Sequence, residues 1–148
     1  MRTRLVHSAH GKRTYVAVLE TGEAVKAELA RFAAAQRLSA ASITAIGAFE
    51  RATIRFFDWE TKAYQPIPVE EQVEVASLNG DIAAGEDGRP MLHIHVVLGR
   101  RDGSALAGDL DEGTVRPTLE VVVTETPDHL VRVHDPATGL ALIRLDRD

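Results

Sequence analysis

The sequence predicts an α+β domain, a predominantly antiparallel β-sheet with one main amphipathic helix packed on it. Three observations lead there. Apolar residues recur at helical spacing in one strong segment, from Glu23 to Arg37. From Ser39 onward, β-branched and aromatic runs follow one another with turn signals between them. Finally, 148 residues with 45% hydrophobic and 26% charged content match one ordinary globular domain, taken as residues 1–148. One early helix followed by many strands is the α+β pattern.

The elements follow in order. Residues 13–19 alternate loosely, with Tyr15, Ala17 and Leu19 on one side, and form a first strand. Thr21 stands where a helix N-cap belongs, and Glu23 in the first turn suits the helix dipole. Val25, Leu29, Phe32 and Ala33 then fall at i, i+4, i+7 and i+8, a stripe that packs on something flat. The alanine-rich remainder adds helix propensity. Residues 42–46 and 52–57 are strands separated by Gly47, where a bulge or turn is expected. Residues 64–69 contain Pro66 and Pro68 and so form at best an edge strand. Residues 73–78 alternate and stop at the turn signal Asn79-Gly80. Residues 91–98 and 104–110 flank Gly99-Arg100-Arg101-Asp102-Gly103, a hairpin by composition. Residues 118–124 are the most β-prone run. Residues 130–134 and 140–145 close around the turn Asp135-Pro136, and these C-terminal strands (129–145) belong to the same domain.

Composition removes several function classes. There is no cysteine, hence no disulfide, thiolate metal site or cysteine nucleophile. Seventeen basic against 22 acidic residues give a net charge of −5, the wrong sign for gripping phosphate backbone unaided. The first ten residues lack the apolar core of a secretory signal, and no apolar stretch approaches the roughly 20 residues of a membrane helix. The expectation is a cytoplasmic protein without membrane attachment. Gly-x-Ser-x-Gly, Walker and dinucleotide glycine motifs are missing.

Chemistry concentrates on one hairpin. His93 and His95 lie two apart on a strand and project from one face, while Leu92, Ile94, Val96 and Leu98 line the other. If Arg101-Asp102 centre the turn, paired positions sum to about 203, which sets Asp109 almost opposite the histidines. Two imidazoles and a carboxylate suit a divalent metal, zinc foremost and iron or manganese as alternatives. The plain alternative is a half-polar strand face with no ion, Asp109 being a solvated strand end. Glu120, alone in an apolar strand, either pairs with Arg116 or faces the histidines as a base. It and Arg116 are the weak catalytic candidates. His7, His10, His129 and His134 are scattered, His134 reading as an exposed turn residue.

The order of short motifs carries a resemblance. Thr21-Gly22-Glu23 precedes the helix and Ala45-Ile46-Gly47-Ala48 follows it. Ser77-Leu78-Asn79-Gly80 comes before the histidine strand, Leu92-His93-Ile94-His95-Val96-Val97-Leu98-Gly99. Asp102-Gly103, Gly108-Asp109-Leu110 and Thr118-Leu119-Glu120-Val121 complete the set. Over about residues 13–125 this resembles the PPC (plant and prokaryote conserved) domain, a candidate DNA-binding family related to the C-terminal domain of AT-hook nuclear proteins. The resemblance implies an α+β fold assembled as a homotrimer. It also implies a stand-alone, bacterial-type module associated with DNA or with transcription-related proteins, and a metal held by three histidines. Here the family's Gly-His-Leu is Gly108-Asp109-Leu110, so the implied set is His93, His95 and Asp109. The plant contact motif Gly-Arg-Phe-Glu-Ile is replaced by Glu71-Gln72-Val73-Glu74-Val75. No AT-hook is present: Gly88-Arg89-Pro90 follows Glu86 and Asp87 and reads as a turn. The fold also resembles that of acetolactate decarboxylase, which supplies the alternative: a metal-dependent enzyme acting on a small carbonyl compound.

Overall fold

In the computed structural model, which describes residues 1–145, nine strands and one helix follow one another. They are β1 (Arg2–Ala9), β2 (Lys12–Glu20), α1 (Val25–Gln36), β3 (Ala40–Asp58) and β4 (Ala63–Val69). Then come β5 (Val73–Ala84), β6 (Pro90–Gly99), β7 (Ala105–Glu125), β8 (Val131–Asp135) and β9 (Leu140–Arg144). The strands form one sheet ordered β1-β2-β7-β3-β5-β8-β9, with β4 on β3 and β6 bonded to both β5 and β7. Since β5 and β7 are each also bonded to β3, these four strands close a ring. The sheet is mixed: β8 meets β5 in parallel, through Ala84 and Val131, against antiparallel neighbours elsewhere.

Alternation along the long strands sets the core. Ile43, Leu78, Ile94, Val96, Leu98, Leu119, Val121 and Val123 are buried on the inner face. Against them α1 contributes Val25, Leu29, Phe32 and Ala33, and the Phe32 ring meets Tyr15 edge-on at 5.1 Å.

The helix begins later than Thr21 implies. Its N-cap is Ala24, which makes no side-chain cap, and Thr21 instead donates to the carbonyl of Pro117. The capping oxygen comes from another element: Lys26 N–H donates to Glu112 Oε1 on β7, at 2.9 Å.

Asn79-Gly80 does not turn the chain. Both residues lie inside β5, between β3 and β6, where Gly80 pairs with Ile43 and Ile94. A Cβ at position 80 would sit 2.4 Å from the carbonyl oxygen of His93. The glycine therefore serves a close approach of strands rather than a bend. Gly47 shifts the register of β3 against β5, as a bulge does.

Two predicted runs, 104–110 and 118–124, are the ends of a single 21-residue strand. The N-terminal ten residues, assigned no element from sequence, supply β1, turned back onto β2 through His10 and Gly11 with φ of 52° and 74°. His134 is exposed but lies within β8 rather than in the turn after it.

Candidate metal centre

Two strands, β6 and β7, deliver the candidate ligands. In the β6–β7 hairpin His95 pairs with Asp109, a register one position from that expected of a turn centred on Arg101-Asp102. His93 stands two residues back on the same face, across from Asp81 of β5. Asp109 in turn pairs with Arg55 of β3.

Hence three donor-bearing side chains converge. His93 Nε2 and His95 Nε2 are 3.2 Å apart, and His93 Nε2 is 3.8 Å from Asp109 Oδ2. All three ligand atoms lie within 4.8 Å of one another. Two nitrogens about 2.0–2.1 Å from a tetrahedral zinc are separated by roughly 3.3 Å, so the imidazole pair already has the required spacing. The donor set fits a divalent ion.

The surroundings decide what each ligand can do. Asp109 is 4% exposed, and its Oδ1 accepts from Arg55 Nε at 2.9 Å and Nη2 at 2.5 Å. That leaves Oδ2, on the histidine side, as the oxygen for a metal. Arg55 also pairs with the exposed Asp111 at 3.1 Å and lies over the Tyr64 ring at 4.4 Å. On the opposite flank Arg132 of β8 is 7% exposed; it donates to both oxygens of Asp81 at 2.8 Å and to the carbonyl of Ala141 at 2.9 Å. Its Nη2 is 3.3 Å from His93 Nδ1.

Burial, then the Arg132 guanidinium and His95, hold the His93 imidazole below its ordinary pKa. A neutral ring keeps a nitrogen lone pair for coordination. Burial and then the Asp109 carboxylate push the Tyr64 phenol above its ordinary value.

Glu120 and Arg116 are not brought to the histidines. Glu120 is exposed on β7, between Val18 and Ile46. The register row of His95 runs through Asn79 and Thr44 to Val122, three strands away. At roughly 4.8 Å per strand that is about 14 Å, and Glu120 lies two residues beyond. Arg116 pairs with Glu50 at 3.8 Å.

Arg55, Asp81, Arg132 and Tyr64 escaped the sequence reading. The one available signal was charge within otherwise alternating or apolar strands, at Arg55 and Arg132. At the hairpin tip, Arg100 pairs with Glu71, and Gly88, with φ of 76°, turns the chain into β6.

Comparison with known proteins identifies the family. The sequence model of the Plants and Prokaryotes Conserved (PCC) domain matches residues 6–127. A candidate DNA-binding protein from Bacteroides thetaiotaomicron superposes with a TM-score of 0.87 at 30% identity, covering 95% of this chain and 96% of that one. The metal-containing protein AF0104 from Archaeoglobus fulgidus gives 0.83 at 29% identity, over 97% and 99% of the two chains. A Staphylococcus aureus protein similar to α-acetolactate decarboxylase shares the fold alone, with a TM-score of 0.52 at 11% identity over 75% and 51% of the chains. Among curated proteins, the bifunctional protein GlmU of Synechococcus sp. (strain JA-3-3Ab) is 30% identical over 138 residues. That match takes in 91% of this chain, which spans about a fifth (21%) of GlmU.

Proposed function

The chain belongs to the Plants and Prokaryotes Conserved domain family, the plant- and prokaryote-conserved group its motifs resemble, and on that footing we propose that it is a self-associating, metal-binding regulatory module. The observation that carries this reading is the convergence of His93, His95 and Asp109, whose ligand atoms lie within 4.8 Å of one another. Zinc is the first choice of ion and iron or manganese the alternatives. His93 and His95 supply nitrogen, and Asp109 supplies Oδ2 while Arg55 holds its other oxygen. An ion held there would supply Lewis acidity at this site. The metal-containing relative from Archaeoglobus fulgidus supports the reading.

Self-association as a homotrimer rests on the family resemblance and on one surface. Ile46 is 62% exposed on the outward side of the sheet, near Val122, with the half-buried Val18 two strands over, across Glu120. An apolar face of this kind on a strand-rich chain is suited to a second copy. Several relatives carry a DNA-binding designation. With a net charge of −5 and no AT-hook, this chain joins DNA through partners rather than by holding the duplex itself.

The second reading, an enzyme acting on a small carbonyl compound, is favoured by one observation. A cavity of about 260 Å³ has His93 and Asp109 in its wall. Glu120 and Arg116 lie outside it, so neither serves there.

Elemental analysis of protein purified without a metal-affinity tag, combined with light scattering on a sizing column, tests the proposal. It expects one divalent ion per chain and a mass near three times 16.1 kDa. A metal-free monomer contradicts both halves. An anisotropy titration with A·T-rich duplex should show no submicromolar binding at physiological salt.

A further inference from the structure

The cavity beside the histidines has a wall that the metal-binding role leaves unexplained. It is bounded by Arg55 and Tyr64 on one flank, Arg132 on the other, and Leu92, Leu140 and Leu142. Its volume of about 260 Å³ falls below the roughly 300–1,000 Å³ of sites for drug-sized molecules. A small molecule fits.

Three features specify its chemistry. First, the polar groups of the wall have unused donors. The Arg132 side chain is buried, yet its Nε has no hydrogen-bond partner among the described residues, a costly arrangement for a guanidinium. The Tyr64 hydroxyl likewise makes no hydrogen bond among the described residues, its ring being engaged only by Arg55 and Phe57. Second, one pairing is exchangeable: Arg55 Nη1 meets the exposed Asp111, whereas Nε and Nη2 hold the buried Asp109. Third, the charges leave room for an anion once the site is loaded. Two guanidiniums face the carboxylates of Asp81, Asp109 and Asp111, an excess of one negative charge. A divalent ion turns that into an excess of one positive charge, which a monoanion neutralises.

We propose that this cavity is a subsite for a small carboxylate carrying an oxygen on the adjacent carbon, a 2-oxo or 2-hydroxy acid. Its carboxylate takes the donors of Arg55 and Tyr64 on their flank of the cavity, opposite Arg132. The neighbouring oxygen faces the side where His93 and Asp109 hold the ion, and the short apolar remainder lies against Leu140 and Leu142. Guanidinium and phenol donors around a carboxylate form charge-assisted hydrogen bonds, which a neutral amide cannot replace. The inference rests on the metal reading above and gives it a ligand class. It also makes the coupling reciprocal: ion and acid each tighten the other by the same factor.

Calorimetry with pyruvate and with pyruvamide, its neutral amide, tests this on zinc-loaded and zinc-free protein, with zinc occupancy measured in the same samples. Pyruvate should bind the loaded protein about tenfold or more tightly than pyruvamide does, and about tenfold more tightly than it binds the zinc-free protein. Tyr64→Phe should weaken pyruvate by about five- to tenfold while leaving zinc affinity unchanged. The subsite is overturned if pyruvamide matches pyruvate, if Tyr64→Phe leaves pyruvate binding unaltered, or if zinc-occupied protein takes up no pyruvate. Failure of zinc itself to bind wild-type protein overturns the metal reading, and the subsite with it.

Discussion

His93 and Ile46 both stand on the outward side of the same sheet, yet the two places have opposite characters. Around Ile46 the neighbours are valines, threonines, small residues and two exposed carboxylates, Glu74 and Glu120, and the surface is open. Around His93 the histidines are backed by Asp81, Asp109, Arg55 and Arg132, drawn from β5, β7, β3 and β8. Alternation puts polar or apolar groups outward in both regions. Only where further strands fold over the face does it acquire buried, mutually paired charges. A site that can hold an ion comes from that covering, and a face suited to another copy of the chain comes from its lack.

The two regions should therefore fail independently. The largest effect is expected at the histidines: His93→Ala should abolish zinc binding at micromolar concentration and leave the mass in solution unchanged, because the core lies on the other face of β6. Ile46→Asp should do the reverse. It should reduce the assembly to a species near 16.1 kDa on light scattering while zinc still titrates. If either variant disturbs both properties, the two regions are not separate.

Smaller effects sharpen the description of the charged region. Asp109→His offers a third nitrogen and releases Arg55 from its buried partner. Zinc should tighten by about tenfold relative to manganese, as expected for replacing oxygen by nitrogen, and competition titration reads the change. The smallest effect concerns pH in the metal-free protein. His93 titrates below its ordinary value because burial and Arg132 disfavour the charged ring. As pH falls through about 6.5, the unfolded chain takes up a proton that the folded chain still refuses, so stability declines until the folded value is passed. Denaturant midpoints between pH 8 and pH 5 should fall for the wild type and fall less for His93→Gln.

Much of this region was legible because it is local. Counting outward from Arg101-Asp102 placed Asp109 one register position from its observed pairing with His95, since a short hairpin fixes its own register. Gly47 was legible as a bulge for the same reason. The long-range part was not. The pairing of β3 with β7 shifts register three times, so no count from sequence brings Arg55 to Asp109. Arg132 reaches Asp81 through a strand that joins β5 by the single pair Ala84 and Val131, far along the chain from Asp81. Gly80 misled for a physical reason: Asn-Gly is a strong turn signal, but glycine is also what two closely approaching strands require. The helix cap shows the same limit, its oxygen arriving from Glu112 on a strand 86 residues away.

One measurement bears most directly on the account: calorimetric titration of zinc and manganese into metal-stripped wild-type protein and into His93→Ala. The account predicts one ion per wild-type chain and none bound by the variant. It is contradicted if neither ion binds the wild type more tightly than roughly 100 μM, equivalent to about 5.5 kcal/mol. The histidine pair would then be a polar strand face held by its neighbours' charges.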